Sequence, residues 1–443
     1  KRDRAVWSMD LSISIPSYLL SLWNPDAVRD SLLTLLSQKG KGFYAFKRGY
    51  IPHGAFPLNT ATGLMVTTST FSVYVMWWIR GVYSYYVHTG DGEFVRSVFG
   101  DVGDAFGWLE TQTRPSPESR TPLLYANLFN DLSWDYTIRR VGFSGATNLI
   151  WAKAYEEAAW LAAKVMGDPG AAGRWRGRAA GIRKAVFEKG FKPFNLWDAR
   201  LGRFRHTTME DSPFTHEVNA QAALYDFVRG KAAHRLLDLI RDRLRVEWGP
   251  LSADRRFPLV LHGRHNSKVM PALAAYEVAA LMKHRRFAEA LDLTRRTWLP
   301  MLEQGTGTTF WEWYGEGGGR PRGAFPSLCH PWSAWILEVL TTSLTGIKPA
   351  GGGFSVFEFD PAAVVGCAEI GGLSFRVPTP GGTIRGEWAR EGAGVAYEAE
   401  IPDGIEGRLA AGAGVVARRG ARGRGIARGG RFKDRIKVFL SSQ

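Results

Sequence analysis

Cysteine is nearly absent from this chain. Only Cys329 and Cys367 occur in 443 residues, and two thiols so placed make neither a metal-ligand spacing nor a disulfide framework, so the redox compartment stays undecided. Long apolar runs are lacking too. The most apolar stretch, Leu64 to Ile79, is broken by Thr67, Thr68, Ser69, Thr70 and Ser72; it is too short to span a bilayer comfortably and reads as a buried helix, so no membrane partner is expected. No charged, apolar and small-residue leader follows Lys1, which leaves localisation unread and secretion compatible. The glycine-rich segments do not follow the strand-to-helix pattern of a phosphate-cradling loop. No serine nucleophile elbow is visible, and His262 and His265 have no carboxylate partner at metal spacing; neither a metal nor a cofactor is expected.

What is present is a folded composition. Hydrophobic residues make up 45% and charged residues 22%, and the length suits a large helical domain with a smaller companion. Tryptophan is abundant, with 17 in the chain, and indole faces stack on the apolar faces of sugar rings as well as filling gaps between helices. Carbohydrate is therefore a candidate ligand from composition onward. The net charge of +15 raises nucleic acid as a partner. Much of the excess sits in a Gly/Arg tail, where Arg418, Arg419, Arg422, Arg424, Arg428, Arg431, Lys433, Arg435 and Lys437 lie among glycines. Such a run in a late β-region reads first as a solvated face or strand edge, so no nucleic-acid partner is expected.

From about residue 11 to residue 345 the apolar spacing predicts helices joined by short turns and several longer loops. Asn24, Pro25 and Asp26 supply a cap, a pre-set φ and a dipole-matched acid ahead of Val28, Leu32, Leu33 and Leu36, predicting a helix from about Pro25 to Lys39. Helix-turn-helix junctions follow at Thr89-Gly90-Asp91-Gly92 and Met166-Gly167-Asp168-Pro169, and more loosely at Phe227-Val228-Arg229-Gly230 and Met282-Lys283-His284-Arg285. An array of αα-hairpins buries its inner faces either in a closed (α/α)6 toroid or in an open solenoid. Unequal spacings and long loops near residues 40–62, 113–144 and 246–268 favour the toroid. After Leu340 the breakers Gly346, Pro349, Gly351, Gly352 and Gly353 introduce short alternating runs, including Phe354 to Phe359 and Gly394 to Ala399. The expectation is a mainly α protein, with a helical domain over 1–345 and a C-terminal β-sandwich over 346–443.

Two clusters combine acids with exposed-looking aromatics. One is Lys1-Arg2-Asp3-Arg4-Ala5-Val6-Trp7-Ser8-Met9-Asp10; the other is Thr308-Thr309-Phe310-Trp311-Glu312-Trp313-Tyr314, followed by Ser327-Leu328-Cys329-His330-Pro331-Trp332. Glycoside hydrolysis without a cofactor needs one protonated carboxyl at the departing oxygen and one ionised carboxylate to activate water, and Asp3 and Glu312 fit that pair. Taken singly, each reads first as an ordinary Arg-paired loop carboxylate. An arginine neighbour lowers the pKa of Asp3 whereas burial against tryptophan raises it, and the sequence alone does not choose.

The opening resembles the catalytic loop of the α-L-rhamnosidases of glycoside hydrolase family 78, written Arg-Asp-Glu-Arg, a short stretch, Trp, then Gly-Asp. Arg4, Trp7 and Asp10 fall on the family's Arg, Trp and final Asp, and Asp3 on its general-acid Glu. Trp311-Glu312 falls on the general-base segment. Ser327-Leu328-Cys329-His330 with Trp332 is similar to the family's Ser-Leu-Cys-His-Gly-Trp stretch, and Gly346-Ile347-Lys348-Pro349 with Gly353-Phe354 to its crossover into the C-terminal sandwich. Arg2, Asp3 and Met9 depart from the customary Asp, Glu and Gly, as in a variant subgroup. The resemblance implies a six-hairpin glycosidase that inverts at terminal α-L-rhamnosyl residues, with Asp3 as general acid and Glu312 as general base. Arg4, Trp7, Asp10, Trp311 and His330 would bind or shape around the sugar, joined by Trp134 and Asp135 of Asp131-Leu132-Ser133-Trp134-Asp135, near Arg139 and Arg140. His216 with Glu217 and Asn219 is a weaker signal. The expected partner is a carbohydrate or glycoside, and N-terminal β-domains are expected ahead of Lys1. Two alternatives stay open: another (α/α)6 glycosidase, trehalase-like, glucoamylase-like or fucosidase, and a carbohydrate-binding relative without activity.

Overall fold

The computed structural model describes residues 5–40, 49–52, 54–55, 71–127, 140–209, 213–254, 268–322, 326–410, 415–419, 431–432 and 435–442. Eleven helices of nine residues or more occur among them. In chain order they are α1 (Ser8–Leu22), α2 (Pro25–Leu36), α3 (Ser72–Thr89), α4 (Gly92–Thr111), α5 (Gly145–Leu161) and α6 (Pro169–Ala185). The remainder are α7 (His216–Leu224), α8 (Gly230–Leu244), α9 (Pro271–Lys283), α10 (Phe287–Gln304) and α11 (Trp335–Thr345). None of them is long and apolar enough to cross a membrane.

The odd-numbered helices form an inner ring. α1 packs on α3, α3 on α5, α5 on α7, α7 on α9 and α9 on α11, and α11 returns to α1, so six helices close a circle. Each even-numbered helix lies outside the odd one before it. This is the (α/α)6 toroid, and composition explains which helix goes where. α9 reads PALAAYEVAALMK and is buried on nearly every side, as a helix apolar all round must be. α8 instead buries only Ala233, Leu236, Leu237, Ile240 and Leu244, one stripe at helical spacing, and gives its arginines and aspartates to water.

The four hairpin turns stand where the punctuation put them. Asp91 and Asp168 cap the outgoing helices by accepting from the N–H groups of Phe94 and Ala171, and Asn24 does the same for Ala27 at the start of α2. α2 ends at Leu36, with Ser37 to Lys39 forming a turn beyond it. The apolar stretch begun at Leu64 is helical only from Ser72; residues 64–70 lie outside the described residues.

Beyond α11 the chain becomes sheet. A four-stranded sheet runs in the order Ile347–Pro349, Val356–Phe359, Glu406–Leu409, Arg431–Phe432. The second has five strands, ordered Gly372–Thr379, Gly382–Glu391, Gly394–Glu400, Arg435–Ser442, Val415–Arg419. Phe357, Phe359, Trp388, Tyr397 and Ile436 belong to the separate core between them. One expected strand is shorter than its alternation implied: Phe354 closes a 3-10 turn and pairing starts at Val356, because Gly353 turns the backbone to φ +62°. In the basic tail, Val415–Arg419 is an edge strand, while residues 420–430 lie outside the described residues.

The sandwich is fastened to the toroid through the last turn of α11, whose carbonyls have no partner within the helix. The Trp388 indole donates to Leu344 O at 2.9 Å and the Tyr397 hydroxyl to Thr345 O at 2.7 Å. A second seam joins the Gly90 turn to the linker. A Cβ on Gly352 would meet the Tyr86 ring at 2.4 Å, and one on Gly353 would meet Gly90 at 3.1 Å, so only glycine lets the two backbones approach this closely.

His88, in the last turn of α3, packs edge-on to Phe354 of that linker with ring centroids 5.7 Å apart. Its Nδ1–H donates to Ser84 O at 2.8 Å, and burial lowers its pKa to about 4. An unfolded histidine binds a proton near pH 6.5, so stability is full above that pH and is lost as pH falls toward 4. The loss should approach about 3 kcal/mol. Urea melts across this window should show it, and His88→Gln should flatten that part of the profile.

Candidate active site

The segment following α10 doubles back on itself before entering α11. Glu312 N–H donates to Ser327 O and His330 N–H to Phe310 O, each at 2.9 Å, so residues 310–312 and 327–330 run side by side. This crossing fixes the Glu312 carboxylate. Its Oε2 accepts from Ser327 N–H at 2.8 Å, and its Oε1 lies 3.7 Å from His330 Nε2. The same imidazole nitrogen is 3.3 Å from Asp10 Oδ1. Three groups separated by three hundred positions thus meet around one ring, with side-chain exposures of 3% for Glu312, 9% for His330 and 11% for Asp10. The two carboxylates share one nitrogen, which puts their nearer oxygens at most about 7 Å apart.

Local structure supplies the rest of the scaffold. Asp10 stands in the first turn of α1, where a carboxylate complements the helix dipole, and Ser8 Oγ ties that turn to Tyr74 O at 2.9 Å. His330 packs against Trp332 with centroids 4.1 Å apart, and the Trp332 indole donates to Glu312 O at 3.3 Å. The imidazole is thereby held from one face.

The site lies at the N-terminal end of the inner ring, and a second buried network continues there across α5, α7 and α9. Arg140, five residues before α5, pairs with Glu217 in the first turn of α7, their side chains 0% and 6% exposed. Gln221 donates to Glu217 Oε1 at 3.3 Å. One residue earlier, His216 Nε2 meets Glu277 Oε2 of α9 at 2.9 Å, and Arg245 pairs with the other oxygen of Glu277. Burial alone would push the Glu277 carboxyl up. The His216 imidazole and the Arg245 guanidinium outweigh it and hold the pKa below the ordinary glutamate value.

Asp10, His330 and Glu312 of the expected site come together. Trp7 is half-buried in a short strand paired with Gly54–Ala55 and packs on Tyr74 at 6.0 Å. Asp3, Arg4, Trp134 and Asp135 lie outside the described residues, as do His262 and His265. Trp311 needs a correction. The aromatics around Glu312 look exposed in the sequence, yet Trp311, Trp313 and Tyr314 are 1%, 8% and 4% exposed. Trp311 packs among core residues, and Ser333 Oγ donates to its backbone carbonyl at 2.7 Å. Asn219 is structural, bonding backbone atoms of Phe204 and Thr215. Glu277 was missed, although its signal was there: a lone carboxylate in the apolar run of α9 must find a buried partner.

No family profile matches the sequence, and no curated protein matches it. The comparison with solved structures defines the fold class first, an (α/α)6 toroid followed by a β-domain. Within it, the chain is similar to a GH78 rhamnosidase of Bacillus sp. GL1, with a TM-score of 0.64 and 18% identity over 92% of this chain and 40% of that one. It is also similar to the Streptomyces avermitilis α-L-rhamnosidase solved with L-rhamnose, with a TM-score of 0.63 and 16% identity over 98% of this chain and 37% of that one. The α-L-rhamnosidase of Dictyoglumus thermophilum superposes with a TM-score of 0.67 and 12% identity over 99% of this chain and 46% of that one. The chain therefore spans less than half the length of each of these proteins.

Breaking the Arg140–Glu217 pair from one side leaves a buried charge unmatched. Arg140→Met should destabilise the protein by about 3–5 kcal/mol in chemical denaturation. Adding Glu217→Leu should recover much of the loss. A single variant as stable as the parent would mean that the pair carries no strain of burial.

Proposed function

We propose that the chain is a glycoside hydrolase that removes terminal α-L-rhamnosyl residues with inversion, its helical part over 1–345 forming the catalytic domain and 346–443 the sandwich. The observation that carries this reading is the buried Asp10–His330–Glu312 constellation at the N-terminal end of the inner ring. Glu312 is the general base. The Ser327 N–H holds Oε2, and Oε1, beside His330, is the atom that takes a proton from water as the water attacks the anomeric carbon. His330 fixes that oxygen and sets Asp10 against the sugar hydroxyls. A carboxylate facing the ring also stabilises the positive charge that grows on it.

The protonated partner is assigned to Asp3, by its place in the opening motif. It gives its proton to the departing oxygen while Glu312 accepts one on the far side. Asp is one methylene shorter than Glu, so the leaving oxygen must come correspondingly closer. Arg4, Trp7, Trp134 and Asp135 are proposed to complete the sugar pocket. Trp134 would pack on the 6-methyl group, and Asp135 would hold ring hydroxyls through charge-assisted hydrogen bonds. Trp311 supports Glu312 from behind.

The test is hydrolysis of an aryl α-L-rhamnoside by the intact protein, followed by nuclear magnetic resonance of the first product anomer. Turnover with initial release of the inverted anomer is expected. Glu312→Gln should lower kcat by about 10²–10⁴-fold without changing Tm. Undiminished turnover by that variant, or retention of configuration, would remove the assignment. Activity on aryl glucosides or fucosides alone would keep the fold and change the sugar. Rhamnose binding without hydrolysis would make the chain a binding relative.

A further inference from the structure

At the opposite end of the toroid, where the inner helices finish, lies a cavity of about 570 Å³, a volume typical of small-molecule sites. All six inner helices reach it, through Ser12, Arg80, Lys153, Leu224, Met282 and Glu338. Lys348 and Asp360 of the linker into the sandwich stand at its rim. Tyr276, fully buried, is close enough to Tyr225 and Arg80 and to Glu217 for their charges to act on its hydroxyl.

We propose that this chamber is a second carbohydrate site, separate from the catalytic end, which takes a neutral, polyhydroxylated ligand the size of a mono- or disaccharide.

Several charges in the wall are already matched. Arg80 is bidentate to Glu157 at 2.9 and 3.3 Å and donates to the Tyr225 hydroxyl at 3.1 Å. Lys283 meets Asp226 at 2.7 Å, and Arg183 pairs with Glu156. A free anion or cation would have to compete with these internal partners. Several polar groups are nonetheless unspent. Lys153 Nζ stands 3.6 Å from Glu156 and 3.7 Å from Glu157, beyond hydrogen-bond reach, so its N–H groups point to no acceptor among the described residues. The Tyr83 hydroxyl makes no hydrogen bond to a described residue. Glu338 uses Oε2 on the Trp335 indole at 2.8 Å and has Oε1 left over. Burial pushes the Glu338 carboxyl up, and the spare oxygen can accept from a ligand hydroxyl.

Aromatic surface accompanies these groups. Tyr83 and Trp335, both part-buried, line the same space. Ring faces beside donors and acceptors of both kinds, with little net charge, are what a sugar requires: its C–H faces pack on the rings and its hydroxyls bridge the fixed charges.

Calorimetry on the intact chain with D-glucose, D-galactose, D-mannose and L-rhamnose tests this. At least one sugar should bind with an affinity unaffected by the combined Glu312→Gln and His330→Ala substitutions. Lys153→Met, which removes the ammonium but keeps the stem, should weaken that binding at least about tenfold. Ser343→Trp, which fills the chamber, should abolish it, with Tm recorded for both variants to show that they fold. The proposal fails if none of the four sugars binds, if binding vanishes with the catalytic-end substitutions, or if it survives both chamber variants. Uptake of inorganic phosphate in place of sugar would also overturn it. Loss of hydrolysis with sugar binding intact would count against the catalytic reading alone.

Discussion

The contact of α11 with α1 is the constraint on which the molecule depends, because it turns a row of hairpins into a ring. Glu338 N–H donates to Ser17 Oγ at 3.2 Å across 321 residues of chain, and His330 meets Asp10 at the entrance to the same pair of helices. Closure gives each inner helix a neighbour on both sides, and the first five also have an outer helix behind them. Only helices apolar around most of their circumference can occupy that position, and α3, α5 and α9 are such helices. An open row would leave two of them with a bare apolar side.

Closure also forces polar chemistry to the two ends of the ring. The most deeply buried charges of the inner helices pair: Glu217 with Arg140 and Glu277 with His216 and Arg245 at one end, Arg80 with Glu157 toward the other. At the N-terminal end the helix dipoles favour carboxylates, which suits Asp10. At the other end the sandwich takes over the terminal carbonyls of α11 through Trp388 and Tyr397. The sandwich is thus part of how the ring ends as well as a companion to it.

Much of the architecture was legible in advance. Asn24, Asp91 and Asp168 announced helix starts through capping chemistry that acts over three residues, and the glycine-rich linker marked the change from helix to sheet. Local signals fail where the deciding partner is distant. Trp311 looks like a sugar platform beside Glu312, but its side chain is buried in the core. Glu277 resembles an anomaly until Arg245 and His216 are seen beside it.

Sequence alone therefore determined the elements and their order, since capping, periodicity and turn chemistry operate within a few residues. It also named Asp10, Glu312 and His330, through their motifs. Tertiary structure decided that these three share one imidazole nitrogen, that the ring closes, and that a chamber remains at its far end. Those outcomes depend on groups hundreds of positions apart meeting within hydrogen-bond distance, and no local pattern carries the angle at which one helix crosses the next.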